Sequence, residues 1–402
     1  MGRLIFLGAS PMQTPPIRYA RQAGHHVITV DNRPDNPGHR LAHECHNVST
    51  TDSDGVLALA RQLDIDGIVA YASDPAAPTA AYVGNRLGLP SNPYETVQTL
   101  ADKQRFRSFL EENGFNTPWS ETFTEAGAAQ EFAELLARPC FVKPADSSGS
   151  KGVSRVRGPG ELPGAYARAE AFSRSGRVVV EEAIEKEGYQ IDADAFVVDG
   201  ELRFCCWSNQ HTDPKCNGIV PAGISFPSTL SAEQRETAER HTQRLLDETG
   251  FRNGALNIEL VFTEQGDLYF LEVGPRNGGN LIPEVNRYAT GVDLIKYTVE
   301  AALGGDCRAI QPTPVSGFWA SYIVHAQADG ILERLWISDE VRERIVEQNI
   351  WASPGDPVRK FSGSQDTLGT MILRFRDMEE MLEMMDNMEH YLFAEVSPAK
   401  SA

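Results

Sequence analysis

Positive charge is scarce in this chain. Its 402 residues carry 37 Lys and Arg against 56 Asp and Glu, a formal net charge of −19, and such a surface repels nucleic acid and anionic membrane unless basic residues cluster. Long apolar runs are missing too. Nothing approaches the roughly 18 consecutive apolar residues of a membrane span, and Met1 leads into Leu4-Ile5-Phe6-Leu7 without a basic leader or cleavage site. The expectation is a cytoplasmic protein. Cysteine is sparse: the six thiols contain no C-x-x-C pair, and adjacent Cys205 and Cys206 cannot close an ordinary disulfide. Reduced, mostly buried thiols follow. A G-x-x-x-x-G-K-[ST] loop is absent, and Gly8-Ala9-Ser10-Pro11-Met12-Gln13 keeps only the first glycine of G-x-G-x-x-G. Asp31 still stands roughly where a ribose-binding acid would, so an NAD-binding fold remains a minor alternative. What is present, 41% hydrophobic and 23% charged residues, is ordinary globular composition.

The first 95 residues alternate β-like runs (Arg3–Gly8, Val27–Asp31, Gly67–Ala72) with helical patterns (Pro16–Ala23, Ser53–Leu63, Ala76–Leu87), which is βαβαβ and a Rossmann-like parallel sheet. The turn-rich Pro90-Ser91-Asn92-Pro93 marks a boundary. Beyond it the spacing predicts one helix over Thr96–Asn113, then strands at Phe141–Lys143, Val153–Val156, Arg177–Glu182, Ile191–Val198, Glu201–Trp207, Asn257–Phe262 and Leu268–Val273, with a polar helix at Ser231–Thr249. Antiparallel sheet with interspersed helices means α+β. The domains are set at 1–95, 96–310 with a lid subdomain at about 118–183, and an α+β segment at 311–402. In the last, Met381, Met384, Met385 and Met388 form one helical stripe and read as core.

The segment Phe141-Val142-Lys143-Pro144-Ala145-Asp146-Ser147-Ser148-Gly149-Ser150-Lys151-Gly152 offers a small-residue loop whose backbone N–H groups can face anionic oxygens. By itself it is a flexible hairpin loop as often as a phosphate cradle. Lys103 precedes it, and Val178-Val179-Val180-Glu181-Glu182-Ala183-Ile184 follows it. This order resembles the ATP-grasp superfamily. The resemblance implies that Lys103 and Lys143 hold the nucleotide phosphates, that Ser147, Ser148, Gly149, Ser150, Lys151 and Gly152 close over them, and that Glu181 and Ile184 meet the adenine, with Glu182 adding its backbone. The ribose acid falls on Gly188 in the simplest alignment, so either Glu187 reaches the hydroxyls through a one-residue insertion or that contact is missing.

Folding Asn257–Val273 on a two-residue turn, Gln265-Gly266, places Glu259 opposite Glu272. Two facing carboxylates repel unless a cation lies between them, and Mg²⁺ held by carboxylates and ATP phosphates fits, with Mn²⁺ an acceptable substitute. The alternative is an off-by-one register with both side chains in water. Next comes Gly274-Pro275-Arg276-Asn277-Gly278-Gly279, similar to the superfamily's E-x-N-x-R-x-x-G stretch except that Gly274 replaces the metal-binding Asn. Either Asn277 or water takes that position, or the second metal is weaker. The resemblance gives Arg276 the carboxylate or acyl phosphate, which a guanidinium fork suits, and gives the acceptor pocket to Asn209–Pro221. There His211 either orients a substrate or takes a proton from the amine, with Lys151 and Arg276 as the other catalytic groups, or is a solvated loop residue.

The resemblance therefore implies an ATP-dependent carboxylate–amine ligase that passes through an acyl phosphate and releases ADP and phosphate. Its substrates would be a small carboxylate and an amine, and a homodimer stays open. The runner-up is a purine-pathway or carboxylase-like enzyme activating formate or bicarbonate; from another class, a nucleotide sensor or NAD-binding protein without ligase activity.

Overall fold

The computed structural model describes residues 1–398. Near the N-terminus β1 (Arg3–Leu7), β2 (His26–Val30), β3 (Glu44–His46) and β4 (Gly67–Ala70) form a parallel sheet in the order β3-β2-β1-β4. Side chains alternate across it. Ile5 and Leu7 pack with residues of α2 (Ser53–Leu63) and α3 (Ala77–Leu87), while Leu4 and Phe6 meet Ile17 of α1 (Thr14–Gln22) and, from far along the chain, Ile295 and Val299. That last contact fastens this sheet to the rest of the molecule.

The helix expected over Thr96–Asn113 is two, α4 (Tyr94–Ala101) and α5 (Lys103–Glu112). Asp102 leaves the helical region at φ −110°, ψ 120° and caps α5 by accepting the Arg105 N–H. An N-cap Asp satisfies a donor that a continuous helix would not have left open, and the break puts Lys103 on the first turn of α5. A separate four-stranded sheet with two helices follows, made of β5 (Ser120–Phe123), α6 (Ala126–Leu136), β6 (Cys140–Pro144), β7 (Ser154–Val156), α7 (Leu162–Phe172) and β8 (Val178–Glu182) in the strand order β5-β8-β6-β7.

The main sheet is antiparallel and eight-stranded. It contains β9 (Ile191–Val198), β10 (Glu201–Thr212), β11 (Pro221–Phe226), β12 (Gly254–Phe262) and β13 (Leu268–Gly274), with α8 (Ala232–Thr249) between β11 and β12 in the chain and α9 (Ile282–Thr290) and α10 (Leu294–Ala302) after β13. The C-terminal segment adds β14 (Phe318–His325), β15 (Gly330–Ile337), α11 (Asp339–Arg342), β16 (Ile345–Ile350), β17 (Pro357–Val358), β18 (Thr367–Phe375), α12 (Met378–Asp386) and β19 (Leu392–Ser397). The strand order β13-β12-β9-β10-β11-β14-β18-β16 shows β14, β18 and β16 continuing the main sheet, while β17, β15 and β19 pair separately. All four methionines of the stripe are buried against this sheet. No described helix is long and apolar enough to cross a membrane.

Candidate active site

The hairpin of β12 and β13 brings Glu259 opposite Glu272 and Asn257 opposite Gly274. The turn differs from the expected one. Thr263 and Asp267 close a wider loop through a 3.0 Å bond from Thr263 N to Asp267 O, which offsets Phe262–Leu260 by one residue against Leu268–Phe270. A bulge at Leu271 then restores the register, and Arg107 of α5 donates to the Leu271 carbonyl at 2.9 Å. The two departures cancel at the acid pair.

Strand β9 adds more acids to the same face, with Asp192 opposite Glu259 and Asp194 opposite Asn257. The Asn257 amide nitrogen lies 3.2 Å from Asp192 Oδ1 and 3.1 Å from Asp194 Oδ1, and Gln190 donates to Glu259 Oε2 at 2.7 Å. Burial, then the Glu272 and Asp192 charges, push the Glu259 carboxyl up to about 8. Asp192 and Asp194 are raised to about 7 by burial, Asp192 further by its neighbour Asp194. Lys103, with Nζ 3.5 Å from Glu272 Oε2, and Arg276 offset part of this charge. Facing oxygens with an energetic shortage of positive charge are what a divalent cation needs, so Glu259 and Glu272 fit Mg²⁺.

Beside it the balance reverses. Lys143 and Arg107 both pair with the buried Glu181. Burial opposes ionisation of Glu181, yet the two cations hold its carboxyl down at about 2. Burial also lowers Lys143 to about 8, because its single carboxylate is shared and Arg107 and Lys103 add positive charge. Lys103 Nζ donates to the Ser147 carbonyl at 2.9 Å, and Lys103 N to Ala145 O at 3.1 Å, tying α5 to the Gly/Ser loop. Asp146 anchors the base of that loop by accepting from Ser173 Oγ, Arg174 N and Ser175 N. Its tip meets the C-terminal segment, where Ser364 N donates to Gly149 O at 3.2 Å. A Cβ on Gly149 would run into the Ser364 side chain, so the close approach requires glycine. Half-buried Lys151 lies on the same loop. A cluster of cations short of anions, next to acids short of a cation, is complementary to a metal-bound polyphosphate.

Arg276 links the two domains. Its Nη2 is 2.7 Å from Asp74 Oδ2 just after β4, and its Nη1 donates to Asn257 Oδ1 at 2.9 Å and Asn277 O at 3.1 Å. The fork expected to grip a substrate is occupied here by the protein's own groups; a substrate oxygen would displace one of them. Arg276→Lys cannot hold all these acceptors in one plane. Nucleotide affinity should stay near wild type while kcat falls on the order of a hundredfold from misplacement. Steady-state kinetics beside nucleotide titration decides, and wild-type kcat would remove Arg276 from the reacting centre.

Several expected residues are placed differently. Asn277 is fully buried and its Oδ1 accepts the Thr298 hydroxyl of α10 at 2.9 Å. It packs its loop on α10, lining a cavity of about 530 Å³ between the N-terminal sheet and the core. His211 is neither in a loop nor solvated. It lies on β10, buried, with Nδ1 2.7 Å from Asp386 of α12 and Nε2 2.8 Å from buried Ser225, and this chain joins the core to the C-terminal helix. Glu181 is an internal counter-ion to Arg107 and Lys143. The Glu182 side chain pairs with Arg138 and its N–H with Trp119 O. Ile184 is half-buried and Glu187 exposed, the latter's N–H bonded to Phe262 O. Asp31 is engaged by Ala9 N, Arg33 N and Asn36, and the Gln13 amide packs onto Gly8, so the chain's own groups fill both features weighed for a dinucleotide. Sequence reasoning missed Arg107, Asp74, Asn257 and the Asp192/Asp194 pair. Only the last had a visible signal, alternate acids in an otherwise apolar strand.

Family models place the chain. The ATP-grasp domain matches residues 136–284 and the ATP-grasp N-terminal domain residues 17–91. The chain belongs to the ATP-grasp superfamily, whose members are ATP-dependent, ADP-forming ligases. Among its relatives is the formate-dependent phosphoribosylglycinamide formyltransferase of Rhodococcus jostii, 31% identical over 290 residues that span 68% of each chain. Among solved structures, the L-amino acid ligase of Bacillus licheniformis superposes with a TM-score of 0.79 at 22% identity over 99% of both chains. Phosphoribosylglycinamide synthetase of Anaerococcus prevotii gives 0.75 at 20% over 98% of this chain and 99% of that one. At those identities the two structures speak for the fold alone.

Proposed function

We propose that this protein activates a small carboxylate with Mg-ATP and joins it to an amine. The observation that carries the reading is the adjacency of the cation cluster (Lys103, Lys143, Arg107) and the facing acids Glu259 and Glu272. Lys103, Lys143 and Lys151, with the loop from Ser147 to Gly152, hold the phosphates, and the strand end Glu181–Ile184 borders the base. Mg²⁺, held by Glu259 and Glu272, would screen the phosphate charge as the transferring group moves. Substrate carboxylate attacks the γ-phosphorus and ADP leaves; the amine then attacks the acyl carbon of the acyl phosphate and phosphate leaves. Such chemistry depends on positioning and charge neutralisation more than on a protein nucleophile. Arg276 orients the carboxylate oxygens. We place the enzyme in the cytoplasm, where ATP is available and its free thiols stay reduced.

Formate is the alternative acid, favoured by the 31% identical formyltransferase, and the chemistry is the same. One assay covers both: Mg-ATP, hydroxylamine and a panel of carboxylates that includes formate. Hydroxylamine traps an acyl phosphate without the true amine, so hydroxamate and ADP should appear together with one acid. AMP and pyrophosphate as substrate-dependent products would overturn the mechanism.

A further inference from the structure

The turn between β10 and β11 meets the end of β14, where an acid, a thiol and an imidazole converge. Asp213 and His325 are each 3% exposed and Cys216 is half-buried. Asp213 Oδ2 is the hub, 2.9 Å from His325 Nε2, 3.6 Å from Cys216 Sγ and 3.0 Å from Gln327 Nε2, and the three donor atoms of Asp213, Cys216 and His325 all lie within 4.8 Å of one another. His325 Nδ1 stands 2.6 Å from the Ile323 carbonyl. Both ring nitrogens thus face oxygens, although a neutral imidazole has one N–H to give. With that proton on the carbonyl, the Nε2 lone pair confronts a carboxylate. A cation must bridge them, either a proton or a metal ion.

Cys216 separates the two. A protonated ring balances Asp213 alone, and burial, then Asp213, push the Cys216 thiol up to about 12, with Lys360 opposing in part. A divalent ion balances carboxylate and thiolate together. Around a tetrahedral ion with bonds of about 2.0–2.1 Å to nitrogen and oxygen and about 2.3 Å to sulfur, neighbouring donor atoms stand roughly 3.3–3.6 Å apart. The sulfur–oxygen distance already fits, and the nitrogen–oxygen distance has only to open slightly. The Ile323 carbonyl on Nδ1 is the kind of outer contact that fixes the tautomer of a metal-binding histidine.

We propose that Asp213, Cys216 and His325 bind one Zn²⁺, with the Gln327 amide turned to bring its oxygen to the fourth position. On binding, the Cys216 thiol releases its proton to solvent and His325 keeps its Nδ1 proton. A mixed nitrogen, sulfur and oxygen set suits Zn²⁺ and not Mg²⁺, which takes oxygen donors. The site is therefore independent of the Glu259–Glu272 pair and of the ligase reading. The ion would pin the β10–β11 turn to the C-terminal segment, where Phe361 stacks on His325 with ring centres 4.3 Å apart and Ser364, three residues on, meets Gly149 of the Gly/Ser loop.

The test titrates the chelator-stripped full chain with Co²⁺ alone and reads the thiolate-to-cobalt charge-transfer band, with thermal melts to confirm folding. Wild type should bind one Co²⁺ with that band, release protons, and yield the ion to Zn²⁺ but not to excess Mg²⁺. Co²⁺ held by carboxylates elsewhere would lack the band. Cys216→Ser should abolish it, and His325→Gln and Asp213→Asn should weaken binding at least about tenfold. Zn²⁺ should raise the melting temperature of wild type and not that of Cys216→Ser. A folded wild-type chain that shows no thiolate band, or a band that survives Cys216→Ser, would overturn the site.

Discussion

Glu259→Gln and Glu272→Gln should each remove most turnover, on the order of 10²–10³ in kcat as for loss of a group that stabilises developing charge, while the protein still folds. The argument is the pairing itself. The two acids face each other in register, and without a cation burial and mutual repulsion drive the Glu259 carboxyl up to about 8. A raised folded value means that the native state keeps a proton which the unfolded chain releases above its ordinary value near 4.5. The associated stability is present at acid pH and is lost as the pH rises through about 8. Asp192 and Asp194, both raised to about 7, act in the same direction. The nucleotide-free protein should therefore melt higher at pH 5.5 than at pH 8.5. Glu259→Gln should reduce that difference and melt above wild type at pH 8.5. Thermal melts across pH, with and without Mg-ADP, beside an ADP-release assay give the answer. Two variants with normal activity and normal Mg²⁺ dependence would place the metal elsewhere.

The second large effect is on nucleotide affinity. Lys143→Ala should weaken Mg-ATP binding by about 1.5–3 kcal/mol, the range for a charge-assisted contact, and by clearly more than Lys151→Ala. Lys143 is fixed on β6 between Glu181 and the loop, whereas Lys151 lies on the loop itself. Stability separates the two variants as well. Removing Lys143 leaves Glu181 buried with Arg107 as its remaining partner, and breaking a buried pair is destabilising; removing Lys151 breaks no such pair. Calorimetric titration on folded protein decides. An unchanged affinity for Lys143→Ala would make this lysine a purely structural counter-ion to Glu181.

Much was determined locally, by residues whose partners are near in the chain. The limits of α2 and β9 follow from alternation and capping between neighbours, and the Glu259–Glu272 register follows from a hairpin, although a wide turn and a bulge reached it in place of a tight turn. The methionine stripe was legible because helical period alone sorts an inner face from an outer one. Tertiary structure decided the rest. Nothing in Ser73-Asp74-Pro75 announces a partner at Arg276, 202 residues away, and nothing in α5 says that Arg107 turns inward to Glu181 and the Leu271 carbonyl. Likewise the role of His211 depended on Asp386, 175 residues on. A charged side chain is buried or solvated according to whether distant segments bring it an opposite charge, since burial without one is too costly. The chain's motifs thus determined which chemistry it carries, and the packing of two domains determined which ion pairs hold that chemistry in place.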